Sequence, residues 1–429
     1  MPRFLPLALG VLLLPIFAQA QPAPTATTTP TPEPTITPET VQQMADRVMK
    51  ETSAIRHLSI KRPVPTDVKT GAQIEKYMAA EIERQAKPDE IAAANLYLRQ
   101  LGLAPKTFNI KTAYARLMGE QVAGFYSSRT RAFTTSTRVN PLELETVMAH
   151  ELTHALQDQH FGLRRLENSP RHESDTTLAL SSLVEGDATL VMTRYMSANP
   201  LRAFGMLASS LSTLLGGDKD SVELRQAPRM LRETLGFPYI SGLKFVTQLH
   251  ARGGWSSISN AFGRPPKSTQ QILHFDQYLA NKAPEKVAVP DVSRVLGSGW
   301  KLLDHDVNGE LGLSLVAGEF VEPGVASAAA AGWAGDRYAV YSGPKGAVLV
   351  IQDSLWNNPA SASYWRTTYA LRTNTRFESR AKERHTGSLS LWNAAPDGVW
   401  LEQTGRRVIM LEGTVGAFDA KRVLAALRH

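Results

Sequence analysis

Apolar positions recur at helical spacing through most of residues 41 to 199, and the pattern breaks once. Residues 121 to 126 and 131 to 135 are two short β-type runs around Ser127-Ser128-Arg129-Thr130, which predicts a hairpin. Directly after it, Leu144, Val147, Met148, Leu152, Ala155 and Leu156 fall on one helical face, with no proline or glycine until Gly162. Asn140-Pro141-Leu142-Glu143 marks the start of that helix: a capping side chain, a proline at the first helical position and a carboxylate three residues after the cap. A second long helix is predicted from about Ser174 to Ser197, ended by Asn199-Pro200. Gly186 within it costs about 1 kcal/mol relative to alanine, so a close backbone neighbour is expected there, with the first helix as the obvious candidate.

Residues 200 to about 290 again read as helical, clearest from Leu243 to His250 and closed by Arg252-Gly253-Gly254. Beyond Val289-Pro290 the period changes. Strands are expected at 338 to 341, 347 to 351, 388 to 392, 399 to 402 and 407 to 411, with helices at 361 to 371 and 420 to 427. The alanine-rich stretch 326 to 334 suits either a tight helix or a packed loop. Val348, Val350, Leu389 and Leu391 are expected to face a core belonging to this C-terminal region alone.

The ends and the composition restrict the setting. Met1-Pro2-Arg3, the apolar run from Phe4 to Phe17 and Ala18-Gln19-Ala20 form the order of a cleaved secretory signal peptide, residues 1 to 20. That run is short and broken by Pro6 and Pro15, and no later stretch approaches eighteen apolar residues, so no stable membrane span is expected in the mature chain. Residues 21 to 40, nearly all Pro, Thr and Ala, read as an extended tether. With no cysteine there are no disulfides and no thiolate ligands, and an extracytoplasmic protein must then be held by its core. The periplasm or the medium outside a bacterium is the expected location. The net charge of +7 is spread along the chain without interleaved stacking aromatics, which argues against a nucleic-acid partner.

The chemistry concentrates in His150-Glu151-Leu152-Thr153-His154 and, thirty-one residues later, Glu185. Histidines four apart on a helix lie one turn above each other and can grip one metal ion, with the intervening glutamate beside an activated water. Three protein ligands leave one position open, as catalytic zinc sites do. Glu151 would then be the general base, and His150, His154 and Glu185 the ligands of a single Zn2+. His160, ten residues after His150, is a competing third ligand. Without a glycine at position 157 to turn the chain, a continuing helix points it away from the metal.

These residues resemble the gluzincin metallopeptidases, whose third ligand is a glutamate on the next helix. The run from His150 to Ala155, with Asp158 one turn on, is similar to the thermolysin family's hexapeptide. Glu185-Gly186-Asp187-Ala188 is similar to the Glu-Gly-x-Ala motif of aminopeptidase-like members. Gly124-Phe125-Tyr126, Gln157-Asp158-Gln159 and the stretch from Trp333 to Tyr338 resemble a set of bacterial proteins assigned as metallopeptidases by motif. The chain departs from the thermolysin family at position 189, where that family has a carboxylate behind a ligand and this chain has Thr189; Asp187 or Asp158 would have to take that part. Gluzincins also place a tyrosine or histidine at the developing oxyanion, for which Tyr239 and His274 are candidates without a sequence argument to choose them.

The pattern and the resemblance together predict an α+β protein: the resemblance implies a mostly helical zincin-like catalytic domain with a short β-hairpin, residues 41 to 290, and the change of period predicts a smaller α+β domain, residues 300 to 429. It implies zinc-dependent hydrolysis of peptide or protein substrates in the bacterial envelope or outside the cell. The alternatives are a zinc-stabilised, catalytically inactive envelope protein that binds a partner, or a zincin acting on a small amide or cell-wall peptide. If the C-terminal region is independent, its removal should alter substrate selection more than metal affinity.

Overall fold

A computed structural model describes residues 9–13, 37–137, 139, 141–167, 171–199, 225–386 and 388–428. Of the segment read as a signal peptide, the described part is strand β1 (Leu9–Leu13). Most of the tether lies outside the described residues. Its last three residues begin helix α1 (Pro38–Arg56), because Thr37 caps the helix by accepting from the backbone N–H of Thr40 and Pro38 stands at the first turn. Strand β2 (Thr66–Lys69), helices α2 (Gly71–Gln85), α3 (Pro88–Gln100) and α4 (Ile110–Gln121) then lead into the hairpin.

The hairpin forms as the pattern predicts. Strands β3 (Val122–Ser127) and β4 (Ala132–Ser136) pair antiparallel, with Arg131 taking the positive φ that closes the turn. They belong to a four-stranded sheet in the order β1-β3-β4-β2, in which β2 runs parallel to β4. Helix α5 (Pro141–Phe161) begins at the proline expected to start it; the capping residue, Asn140, lies outside the described residues. Leu144, Val147, Met148, Leu152, Ala155 and Leu156 are buried with Val41, Ala45 and Val48 of α1 and Phe133 of β4 in one apolar cluster.

After the short α6 (Leu163–Glu167) comes α7 (Ser174–Ser197), matching the predicted second helix. The predicted close backbone neighbour of Gly186 exists, but it is not α5. It is Gly242 of α8 (Arg229–Gly263), whose carbonyl carbon and oxygen would lie 2.3 Å from a Cβ on Gly186. Helix α8 does not end at Arg252-Gly253-Gly254 as expected. Gly253 and Gly254 leave helical geometry (φ −166° and 62°), and helix resumes beyond them to Gly263, so the glycine pair makes a kink rather than a terminus.

Beyond three single-turn helices at Thr269–Leu273, Phe275–Leu279 and Ser293–Leu296 the chain becomes a seven-stranded antiparallel sheet. Its strands are β5 (Lys301–Asp306), β6 (Trp333–Ser342), β7 (Val348–Trp356), β8 (Arg384–Thr386), β9 (Leu389–Ala394), β10 (Asp397–Thr404) and β11 (Arg407–Thr414), in the order β5-β6-β7-β11-β10-β9-β8. The alanine-rich stretch divides: its first part lies in the helix Pro323–Ala330, and Trp333 and Ala334 begin β6. The whole is α+β, a helical part followed by a sheet-based part.

The expected private core of the C-terminal region is only half right. Alternate residues of each strand separate cleanly: Ala339, Tyr341, Leu349, Ile351, Ile409 and Leu411 pack with Val423 and Leu424 of the closing helix, and Leu389 lies against the same cluster. Val340, Val348, Val350, Val408 and Met410 face the other way, into one core with Tyr97, Leu101, Leu183 and Phe245 of the preceding helices. Both faces of the sheet are covered, which is why these strands read as nearly continuous apolar runs. Buried polar ties cross the same boundary, among them Ser174 N–H to Asp306 Oδ1 (2.8 Å) and Tyr97 OH to Asn308 Oδ1 (2.9 Å).

Candidate metal centre

The i, i+4 spacing on α5 brings the two imidazoles together. His150 Nε2 and His154 Nε2 are 3.1 Å apart with their rings nearly perpendicular, and Glu185 from α7 puts Oε2 at 2.9 Å from the first and 3.4 Å from the second. A tetrahedral shell with bonds of about 2.1 Å sets its ligands about 3.4 Å apart, so these three atoms have the mutual spacing of ligands around one zinc. The donor set, two nitrogens and one carboxylate oxygen, suits that ion. His160 does not converge with them: its Nε2 lies 2.7 Å from the carbonyl oxygen of Ser59, as continuation of the helix requires.

Glu151 is the fourth chemical group. One ligand-capable atom each of His150, Glu151 and His154 lies within 4.8 Å of the others, yet the Glu151 carboxylate is held by a different partner. Its Oε2 accepts from the backbone N–H of Tyr126 at 2.8 Å. That N–H is available because Phe133, opposite Tyr126 in the hairpin, turns its own N–H to Pro65 O; the pair exchanges no ladder bond, and Tyr126 points its backbone polar groups away from β4, to the side of β3 where β1 pairs. The general-base candidate therefore lies on the side of β3 away from β4, where β1 pairs. Gly124, two residues earlier, has Phe133, Thr134 O and Val147 all 3.0 Å from where a Cβ would stand, so strand and helix meet there without room for a side chain.

The cluster is deeply buried: His150 and Glu151 are 0% exposed, His154 1% and Glu185 8%. Burial alone would raise the Glu185 carboxyl, but the charge of His154 and hydrogen bonds with both imidazoles hold it well below the usual carboxylate range. Burial also pushes His150 down, whereas His154, against its own burial, is raised by Glu185 and then Glu151. Tyr239 of α8 joins the site, its ring 5.9 Å from that of His150. Burial, and after it the carboxylates of Glu185 and Glu151, keep its phenol protonated and therefore a donor. The other oxyanion candidate, His274, is engaged with Glu310 at 2.7 Å.

Behind the candidate ligands, neither expected carboxylate touches an imidazole. Asp158 accepts from Arg62 (2.6 Å), Tyr126 OH (3.0 Å) and Leu163 N–H (3.1 Å), which ties the end of α5 to the hairpin. Asp187 is one group removed: Gln157 Oε1 meets His154 Nδ1 at 2.8 Å, Gln157 Nε2 donates to Asp187 Oδ2 at 3.0 Å, and Asp187 Oδ1 accepts from Arg56 Nε at 2.7 Å. Sequence reasoning missed Gln157 and Arg56. The first carried a usable signal, since three residues past His154 is the same helical face. The second carried none, 131 residues from its partner. Thr189 plays no part in holding a histidine; its hydroxyl is buried without a partner among the described residues.

Among known families, the model of a domain of unknown function (DUF8575) matches residues 300–424, the sheet-based part and not the site. No curated protein and no solved structure matches the chain.

Proposed function

We propose that this chain is a zinc-dependent hydrolase of peptide bonds acting in the bacterial envelope or outside the cell. The observation that carries the reading is the convergence of His150 Nε2, His154 Nε2 and Glu185 Oε2 within 2.9 to 3.4 Å of one another, with Glu151 held beside them but bonded to the backbone of β3. Zinc in that position would polarise a carbonyl and make water acidic near neutral pH. Glu151 would accept the proton of the attacking water and pass it to the leaving amine, and Tyr239 would donate to the oxyanion.

The substrate's path follows from the side of β3 that β1 covers. An extended chain beside β3 would meet the polar groups that Tyr126 turns outward, next to Glu151. Leu9–Leu13 pairs in this way, antiparallel, with Gly10 opposite Tyr126, so the edge accommodates an extended strand. Cleavage of residues 1 to 20 would leave it free for another peptide.

The near-complete burial of the cluster favours one other reading, a closed zinc site that only stabilises the fold. Metal analysis of the exported protein and its Glu151→Gln variant, with a peptide-library digest, separates the two. Catalysis requires stoichiometric zinc in both proteins and chelator-sensitive cleavage by the wild type alone. Zinc in both with no cleavage by either leaves the stabilising site, and absence of zinc from the wild type removes both readings.

A further inference from the structure

An imidazole that binds a metal through Nε2 carries its proton on Nδ1, and a neighbour that accepts that proton fixes the tautomer and the ring's orientation. For His154 the neighbour is Gln157, whose amide would serve only with its oxygen toward the ring. Its orientation is set from the far side: Nε2 lies 3.0 Å from the carbonyl oxygen of Val184 and 3.0 Å from Asp187 Oδ2. A backbone carbonyl can only accept, so the amide must turn its NH2 there and its oxygen to His154. Arg56, entirely buried, donates to the other oxygen of Asp187 at 2.7 Å and keeps that carboxylate an acceptor. The direction of every hydrogen bond from Arg56 to His154 is thereby fixed. His150 has no equivalent support, since its Nδ1 has no partner among the described residues.

We propose that Gln157 is the positioning residue of the metal centre, fixing His154 as an Nε2 ligand and locking it to the helix that carries Glu185. Both of its other contacts, Val184 O and Asp187, are on α7 within two residues of Glu185, so one amide sets the register of the two ligand-bearing helices. The proposal rests on the zinc reading above and assigns an orienting part that the sequence pattern gave to a carboxylate.

The test compares wild type, Gln157→Met and Gln157→Glu by zinc affinity in competition with a chromophoric chelator and by the visible spectrum of the cobalt(II)-substituted proteins. Methionine keeps the bulk and removes both hydrogen-bonding ends. It should weaken zinc binding about 10- to 100-fold and change the cobalt spectrum. Glutamate keeps an oxygen facing Nδ1 and can give its one proton to Asp187, and should return the affinity to within roughly fivefold of wild type. Wild-type affinity and an unchanged spectrum in Gln157→Met, or a loss in Gln157→Glu as large as in Gln157→Met, would overturn the proposal and leave the zinc reading standing. A wild type that binds no zinc removes the reading itself. Should Gln157→Met fail to fold, imidazole nitrogen NMR of the zinc-loaded wild type decides: a proton on Nδ1 of His154 supports the assignment, and one on Nε2 refutes it.

Discussion

Gly186→Ala tests the packing that holds Glu185 in place. A Cβ at Gly186 would lie 2.3 Å from the carbonyl carbon and oxygen of Gly242 and 3.0 Å from its Cα, and one at Gly242 would lie 2.2 Å from Ser182 O. Ordinary contact begins at 3.4 Å, so the two helices would have to part by roughly 1 Å. The colliding atoms are backbone in both cases, and no rotamer change relieves them. Alanine recovers about 1 kcal/mol of helix propensity, whereas overpacking a filled core costs about 1 to 3 kcal/mol, with rigid backbone placing this case at the upper end. A net loss of about 2 kcal/mol follows. Because α7 carries Glu185 and α8 carries Tyr239 three residues before Gly242, the same displacement should lower zinc affinity. Gly236→Ala, also in α8, is the control: the nearest atom to its Cβ is Ile240 Cδ1 at 3.8 Å, and the substitution should stabilise by up to about 1 kcal/mol. Urea unfolding of the three metal-free proteins measures both. If Gly186→Ala matches or exceeds the wild type in stability, the contact between α7 and α8 does not have the energetic weight given to it here.

Three further outcomes are expected. Arg56→Met leaves Asp187 buried without its cation and should cost about 3 to 5 kcal/mol in urea unfolding, with part of the loss recovered by adding Asp187→Asn; equal losses in single and double variants would show that the pair is not what matters. Burial raises the Asp175 carboxyl to about 8, so its contribution is fully present below the unfolded value of 3.8 and disappears as pH rises through 8. The stability of Asp175→Asn relative to wild type should therefore improve between pH 5 and pH 8, and a difference independent of pH contradicts the assignment. A chain ending at Pro290 should lose cooperative unfolding and zinc together, because Val340, Val350 and Met410 share a core with Tyr97, Leu183 and Phe245; a folded, zinc-binding fragment would show that the sheet merely rests on the helices.

What was legible in the sequence was local. The hairpin, the starts and ends of α5 and α7, and the placing of both histidines on one face all follow from turn residues, caps and a period of 3.6, none reaching beyond about twenty residues. Five of the seven strands beyond residue 300 were found, β5 and β8 being missed, and the cores of the five were misassigned, because period-two alternation does not say which alternate set faces which neighbour when both are apolar. Val348 and Val350 differ from Leu349 and Ile351 only in what another part of the chain brings against them. The kink at Gly253-Gly254 was read as a terminus for a related reason. Two glycines interrupt a helix equally well whether or not the chain beyond can resume it, and here Trp255, Ile258, Ala261 and Phe262 are apolar enough to be buried again.

The four residues from Val184 to Asp187 show why α7 has no single apolar face. Successive residues on a helix turn by about 100°, so four in a row look in four directions. Val184 gives its carbonyl to Gln157, Glu185 turns to the two imidazoles, Gly186 meets Gly242 backbone to backbone, and Asp187 takes Gln157 and Arg56. All four are buried, as are Leu183 before them and Ala188 after them, so no solvent-facing side exists to contrast with an apolar one. A helix surrounded by α1, α5 and α8 needs a small residue where a backbone approaches and polar residues only where a partner waits. A carboxylate, a glycine, a second carboxylate and an alanine in succession meet those demands. Each position is then expected to fail differently when changed: at 186 by overlap, at 187 by an uncompensated charge, at 185 by loss of the proposed zinc ligand with the fold's apolar packing intact.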